Sequence, residues 1–214
     1  MKIILIAGKA SSGKTSLGCE IVNLAKSLNL RALQTEFSKY IKMYAKEIIG
    51  YDGDPNNKPR KFLQDMGSFI RNDLEDEKFF VRRMLEDLKV YESYFDIVVI
   101  SDVRLIQEIE EMKKSKYNVM SICVKNLNDN NLNEEEKNHI TEIELDGYDE
   151  FDYMINNNKE EDLVIFATQI VEQINETILN RNKEFSEIEY TLSNEDQDIV
   201  DSFAKQDKKR SEIE

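Results

Sequence analysis

Apolar residues fall along this chain in two rhythms. The runs Ile3-Ile4-Leu5-Ile6-Ala7 and Ile97-Val98-Val99-Ile100 are continuous, which marks strands covered on both faces of a parallel sheet, where neither face needs polar residues. Elsewhere apolar positions recur every three or four residues and predict amphipathic helices. These cover Lys14 to Leu28 (Leu17, Ile21, Leu24, Ala25, Leu28) and Phe37 to Ile49 (Phe37, Tyr40, Ile41, Tyr44, Ala45, Ile48). Further helices are predicted at Arg60 to Arg71, Glu77 to Tyr91, Leu105 to Lys114 and Leu163 to Ile178. The turn residues Gly50 to Pro55 stop the second helix. Shorter strands are predicted at Arg31 to Thr35, Tyr117 to Val124 and Tyr153 to Asn156. Strands alternating with helices imply an α/β protein, a mostly parallel sheet between helical layers, with ligands at the carboxyl ends of the strands.

Two irregular features interrupt this alternation. Residues 126 to 138 are almost entirely polar and interrupt the alternation as an excursion. Beyond about residue 182 the core pattern fades into an acidic tail, 183–214, with material for at most a short exposed helix around Ile199 and Phe203.

Composition narrows the class without changing this outline. The chain has 214 residues, enough for one substantial core. A net charge of −14 argues against a general nucleic-acid binder, which needs a basic stripe, but leaves a small anionic ligand open because a local cluster of donors suffices for that. No apolar run approaches the roughly 20 residues of a membrane span. Met1 to Ala7 is too short for a signal segment and reads as a strand. Cys19 and Cys123 have neither metal-ligand spacing nor the density of a disulfide framework. Their apolar neighbours predict two buried free thiols, and a cytoplasmic protein is expected.

The strongest chemical signal is Gly8-Lys9-Ala10-Ser11-Ser12-Gly13-Lys14-Thr15, which fits G-x-x-x-x-G-K-[ST] between a buried-type strand and an amphipathic helix. Gly8 and Gly13 permit the backbone to curl with its N–H groups inward. These amides and the positive end of the following helix suit phosphate oxygens. The expected ATP-phosphate site is Gly8, Lys9, Ala10, Ser11, Ser12, Gly13, Lys14, Thr15 and Ser16, with Lys14 reaching the β- and γ-phosphates and Thr15 ligating Mg²⁺.

Three other constellations carry candidate chemistry. Gln64 and Arg71, seven positions apart, share one helical face and suit a nucleobase edge or a phosphate, or are an exposed polar face. Asp102 and Arg104 follow the second continuous strand: the carboxylate either holds an Mg²⁺ water or acceptor hydroxyl, or caps the next helix, while Arg104 addresses a phosphate. His139, the single histidine, stands at the end of the polar excursion with Thr141 and Glu142. No second His or paired Cys completes a metal site there.

Taken in order, the P-loop, Leu63-Gln64-x-x-Gly67-x-x-x-Arg71, Ser101-Asp102-x-Arg104 and His139-x-Thr141-Glu142-x-x-Leu145 resemble a P-loop kinase of the nucleoside monophosphate kinase superfamily. Within it the chain is most similar to the phage-type deoxynucleoside monophosphate kinases and animal-type phosphomevalonate kinases. The resemblance spans about residues 1 to 178. It implies a three-layer α/β/α P-loop fold with a five-stranded parallel sheet. It further implies a kinase-like domain over 1–182, a helical acceptor-binding insertion at 36–92 and a lid at 125–140. It implies ATP and Mg²⁺ as cofactors, Lys14, Asp102 and Arg104 as the catalytic set with Asp102 a candidate second metal ligand, and Gln64, Arg71, Arg104, His139 and Glu142 on the acceptor side. One departure stands out: no arginine occurs between Leu105 and Asn180. Cations for the migrating phosphoryl group must then come from lysines such as Lys125 and Lys137, or from Arg82 and Arg83.

The expected activity is ATP-dependent phosphorylation of a nucleoside or deoxynucleoside monophosphate. Two alternatives stand beside it: a kinase for another small phosphorylated acceptor, and a nucleotide-binding regulatory module whose acidic tail contacts a protein partner. The expected partners are small nucleotides, with no nucleic acid and no membrane, and a homodimer is compatible with the sequence.

Overall fold

The computed structural model describes residues 1–125, 138–157 and 162–180. The expected acidic tail, most of the expected lid including Lys137, and the expected domain boundary near residue 182 lie outside the described residues. The chain divides into Met1–Val171 and Glu172–Glu214. The first unit holds all the strands and cavities below; of the second, only the end of a helix over residues 162–180 is described.

Five strands, β1 (Lys2–Ala7), β2 (Ala32–Thr35), β3 (Ile97–Val103), β4 (Asn118–Lys125) and β5 (Tyr153–Asn156), form one sheet in the order β2-β3-β1-β4-β5. Every pairing is parallel, with Ile3 opposite Val98 on one side and Val119 on the other. Ile3 to Ala7 and Ile97 to Ile100 are fully buried, as their continuous apolar runs require. Side chains alternate across the sheet. Ile3, Leu5 and Ala7 join one core cluster with Phe80, Met84 and Leu88 of α4 (Phe79–Tyr91) and Ile109 and Met112 of α5 (Ile106–Lys113). The other layer includes α1 (Lys14–Ser27), which packs on β3 and β2 through Leu17, Gly18, Ile21, Val22 and Ala25. This is the expected three-layer α/β architecture.

Two helices form the region between β2 and α4: α2 (Lys39–Ile49) and α3 (Arg60–Ser68). The helix expected to run from Arg60 to Arg71 changes character at Phe69, where a π-helical turn, Phe69–Asp73, takes over. Such turns insert an extra residue per turn and re-aim side chains; here the re-aimed residue is Arg71.

Local differences from the sequence reading have simple causes. Cys123 is buried, but Cys19 is exposed, because the inward stripe of α1 is complete without it and its thiol instead meets Asn23 Nδ2 at 3.6 Å. Leu28 and Ile48 end their helices on the solvent side. β3 extends to Val103, so Asp102 lies inside the strand and not beyond it. The β1–β3 register runs from Leu5 opposite Ile100 to Ala7 opposite Val103, leaving one extra residue on β3 at Ser101–Asp102. A bulge of this kind turns a side chain out of the regular alternation. No helix among the described residues is long and apolar enough to cross a membrane.

Leu88 is fully buried in the central cluster, whereas Val90 on the same helix is 60% exposed. Leu88→Ala is expected to destabilise the protein by about 2–5 kcal/mol in urea unfolding, and Val90→Ala by less than about 0.5 kcal/mol.

Candidate active site

The loop from Gly8 to Gly13 joins β1 to α1 at the carboxyl edge of the sheet. Gly8 has φ 143°, and a Cβ there would stand 2.3 Å from the Val124 carbonyl oxygen, so no other residue fits without moving β4. Ser11 and Gly13 also take positive φ (57° and 99°). The curl is tied down from outside: the Asn157 side chain, just past β5, donates to the Ser12 carbonyl at 2.9 Å. The first amides of α1 have no intrahelical acceptor and face the cleft with the positive end of the helix. Lys14 is 6% exposed and donates to the Lys9 carbonyl at 2.5 Å. Burial lowers its ammonium pKa to about 7, Arg104 pushes the same way, and Glu142 and Asp102 oppose.

In front of the loop lies a cleft of about 860 Å³, with Ala10 to Ser16 on one side and Glu36, Lys42, Lys58, Arg60 and Arg104 on the others. Thr15 is exposed to this cleft. Glu36, just past β2, accepts from Lys42 Nζ at 2.5 Å with both oxygens. Gln34 at the end of β2 donates to the Thr15 carbonyl at 3.1 Å and to Ser101 Oγ at 2.9 Å, locking the start of α1 to β3.

The cleft opens into a second cavity of about 140 Å³. Phe37, Ile41, Leu63 and Phe80 supply its apolar wall, and Gln64, Arg71 and Glu108 its polar groups. Ser38, Lys58, Arg60, Asp102 and Arg104 line both spaces. The guanidinium of Arg71 lies 5.7 Å from the Phe80 ring centroid, within cation–π range. Room for it comes from Gly67, where a Cβ would approach Arg71 Nη2 to 3.2 Å. The side chains of Lys58, Arg60, Gln64 and Arg71 make no hydrogen bond or ion pair to another described residue. Donors collected around a concave space and left without acceptors suit an anionic ligand.

The sequence matches the family model for deoxynucleotide monophosphate kinases over residues 34–165. That is more than half of the chain. The protein belongs to the deoxynucleotide monophosphate kinase family. The match begins beyond the P-loop, so the phosphate loop and the family match are independent observations of one kinase. No curated protein matches the sequence. Solved structures similar to it include shikimate kinase from Aquifex aeolicus (16% identity, 84% of this chain and 99% of that one, TM-score 0.43). APS kinase from Mycobacterium tuberculosis (11%, 80% and 94%, 0.40) and a gluconokinase from Sinorhizobium meliloti (12%, 84% and 97%, 0.40) are also among them.

Of the residues singled out in the sequence of this deoxynucleotide monophosphate kinase family member, Lys14, Thr15, Gln64, Arg71, Asp102, Arg104 and Glu142 line the connected cleft and cavity. Gln64 and Arg71 meet the same cavity although the intervening backbone is not one regular helix. Asp102 lines both spaces with its carboxylate engaged by backbone amides. Its oxygens accept from the Phe37 and Ser38 amides at 2.7 and 2.9 Å, so it caps the entry to α2. The expectation that it caps the following helix is not met: Glu108 does that, accepting from the Arg104 and Leu105 amides at 2.8 and 3.1 Å.

His139 is absent from both linings. Its Nδ1 caps the short helix Ile140–Ile143 at Thr141, and its Nε2 lies 3.4 Å from Ser68 Oγ. Both nitrogens are engaged within the protein. Arg82 and Arg83 do not supply the missing cations. Arg82 pairs with Asp76 at 2.5 Å, and Arg83 stacks on Tyr40 and meets Glu86. The sequence reading passed over Lys58 and Arg60, which do line the cleft. Their signal is faint: Lys58 sits in a turn after Asn56-Asn57, and Arg60 is only the first residue of the helix that follows Pro59.

Glu108 is a further omission. It is 7% exposed, and burial raises its pKa to about 7 against the weaker pull of its backbone donors. A carboxyl raised in the folded state holds a proton there that the unfolded chain has released, so stability falls as pH rises from about 4.5 to about 7. Glu108→Gln keeps an acceptor for the cap and should flatten the pH dependence of urea unfolding across that window; an unchanged slope contradicts the assignment.

Proposed function

We propose that this kinase transfers the γ-phosphoryl group of ATP to the phosphate of a deoxynucleoside monophosphate. The observation that carries the reading is the shared lining of the two spaces: Lys58, Arg60 and Arg104 stand where a phosphate cleft meets an aromatic-walled cavity. In this reading the acceptor base lies between Phe37 and Phe80, with Gln64 and Arg71 at its polar edge. Its phosphate rests on Lys58, Arg60 and Arg104. The loop amides and Lys14 hold the donor phosphates.

The protein's part in phosphoryl transfer is positioning and charge stabilisation. An acceptor phosphate oxygen attacks the γ-phosphorus in line with the bond to the β-phosphate oxygen; that bond breaks, and ADP leaves with its electrons. Lys14 on one side and the Lys58–Arg60–Arg104 group on the other neutralise the oxygens of the migrating group. Lys42 stands by in the cleft, paired with Glu36. The exposed Thr15 hydroxyl beside Lys14 is the residue that would hold Mg²⁺. The ion supplies further neutralisation of the β- and γ-phosphate charge. A phosphate-directed junction also accommodates another small phosphorylated acceptor, since Lys58, Arg60 and Arg104 read the phosphate and not what it is attached to.

ADP release measured with ATP, Mg²⁺ and a panel of ribo- and deoxyribonucleoside monophosphates tests this. Stimulation by a deoxynucleotide supports the reading; ATP binding with no acceptor-dependent turnover sinks it. Lys14→Ala should remove nearly all turnover in a folded protein. Arg60→Ala and Lys58→Ala should each raise the acceptor KM about 10- to 100-fold, the range for losing one charge-assisted hydrogen bond, while the ATP KM changes little. An equal rise in both KM values would contradict the division of labour.

A further inference from the structure

The segment from His139 to Gly147 touches α3, the P-loop and the turn between β3 and α5. His139 reaches Ser68 at the end of α3, Asp146 pairs with Lys9 in the P-loop at 2.7 Å, and Glu144 accepts from the Ile106 amide at 2.8 Å. At its centre is Glu142, 8% exposed. One of its oxygens, Oε2, accepts from the Ala10 amide of the P-loop at 2.9 Å, and the other, Oε1, pairs with Arg104 Nη1. The same Nη1 donates to the Thr141 carbonyl at 3.3 Å.

A carboxylate beside a phosphate cleft is unfavourable for the ligand, because it repels the phosphates that the surrounding cations attract. It is tolerated here because both oxygens are satisfied, one by a loop amide and one by a guanidinium. The consequence is mechanical. Arg104 is a long side chain with several rotatable bonds, yet it is pinned at two points of one short helix. That helix is also fixed to the loop that holds the donor phosphates.

We propose that Glu142 is a positioning residue that couples the two substrate subsites, holding the P-loop at Ala10 with one oxygen and aiming Arg104 at the acceptor phosphate with the other. It does not itself contact the acceptor. The assignment of Arg104 to the acceptor rests on the kinase reading above; the link from Arg104 through Glu142 to Ala10 does not.

The amide resonance of Ala10 in full-length protein labelled with ¹⁵N-alanine reports the link without any ligand. Glu142→Gln, an isostere that loses the charge, and Arg104→Lys, which loses the fork that engages Oε1, should move the Ala10 resonance in the same direction. Ala25 and Ala45, both fully buried elsewhere, should stay in place and verify folding. In steady-state kinetics Glu142→Gln should lower kcat/KM for the acceptor about tenfold. Paired with Arg104→Ala, it should cost nothing beyond Arg104→Ala alone, because residues acting through one another are not additive. An Ala10 resonance indifferent to Arg104→Lys, or a fully additive double variant, overturns the proposal. A wild type that releases no acceptor-dependent ADP defeats the kinase reading instead, and the Ala10 resonance still decides the coupling.

Discussion

Gathering like charges around one cleft is the constraint to which much of this structure answers. Lys14, Lys42, Lys58, Arg60 and Arg104 surround the same space in a protein whose net charge is −14. Positive groups brought together and partly dehydrated raise one another's energy, and the cost appears in Lys14, whose pKa falls to about 7 through burial and then through Arg104. Carboxylates placed behind the cations keep the arrangement tolerable. Glu36 engages Lys42, Glu142 engages Arg104, and Asp102 and Glu108 spend themselves on backbone amides. Part-buried pairs of this sort are weak evidence for stability, because the desolvation of both charges offsets their attraction. Their value is orientation: cations aimed in advance need no reorganisation when negative charge moves through the site.

The aiming is done at the carboxyl ends of the strands. A bulge in β3 turns Asp102 toward α2, and its two amide bonds set the angle at which Phe37 and Ser38 enter the cavity wall. Gln34 on the neighbouring strand ties α1 to Ser101, and Asn157 past β5 braces the P-loop at Ser12. Three strand ends thus contribute one polar anchor each, and together the anchors fix the loop and the wall relative to a sheet that cannot shift without exposing Ile3 to Ile6. The π-helical turn at Phe69 completes the wall by bringing Arg71 over Gly67.

Features encoded by local periodicity were legible in the sequence. The β1–P-loop–α1 unit, the parallel sheet and the positions of β5 and α4 follow from runs and spacings a few residues long. Features that depend on tertiary approach were not. Asp102 was recognisable as important by its place after a buried strand, but a bulge decides where its carboxylate points. Lys58 lies in a turn without periodicity and Arg60 is the first residue of α3, and only the fold brings them opposite Lys14. An arginine-free stretch after Leu105 suggested a poverty of cations, when the cations come from earlier in the chain. Cys19 looked buried because its neighbours are apolar, yet a helix buries a stripe and not a stretch of sequence.

The family match and the P-loop establish a kinase; the acceptor is the part that rests on the cation junction. Phosphorus NMR of the reaction mixture tests it most directly, because it identifies the bond that forms. With ATP, Mg²⁺ and a deoxynucleoside monophosphate, the acceptor's phosphate resonance should disappear and the two coupled resonances of a diphosphate should replace it, in step with ADP. Inorganic phosphate appearing alone, with the monophosphate resonance unchanged, would contradict the account.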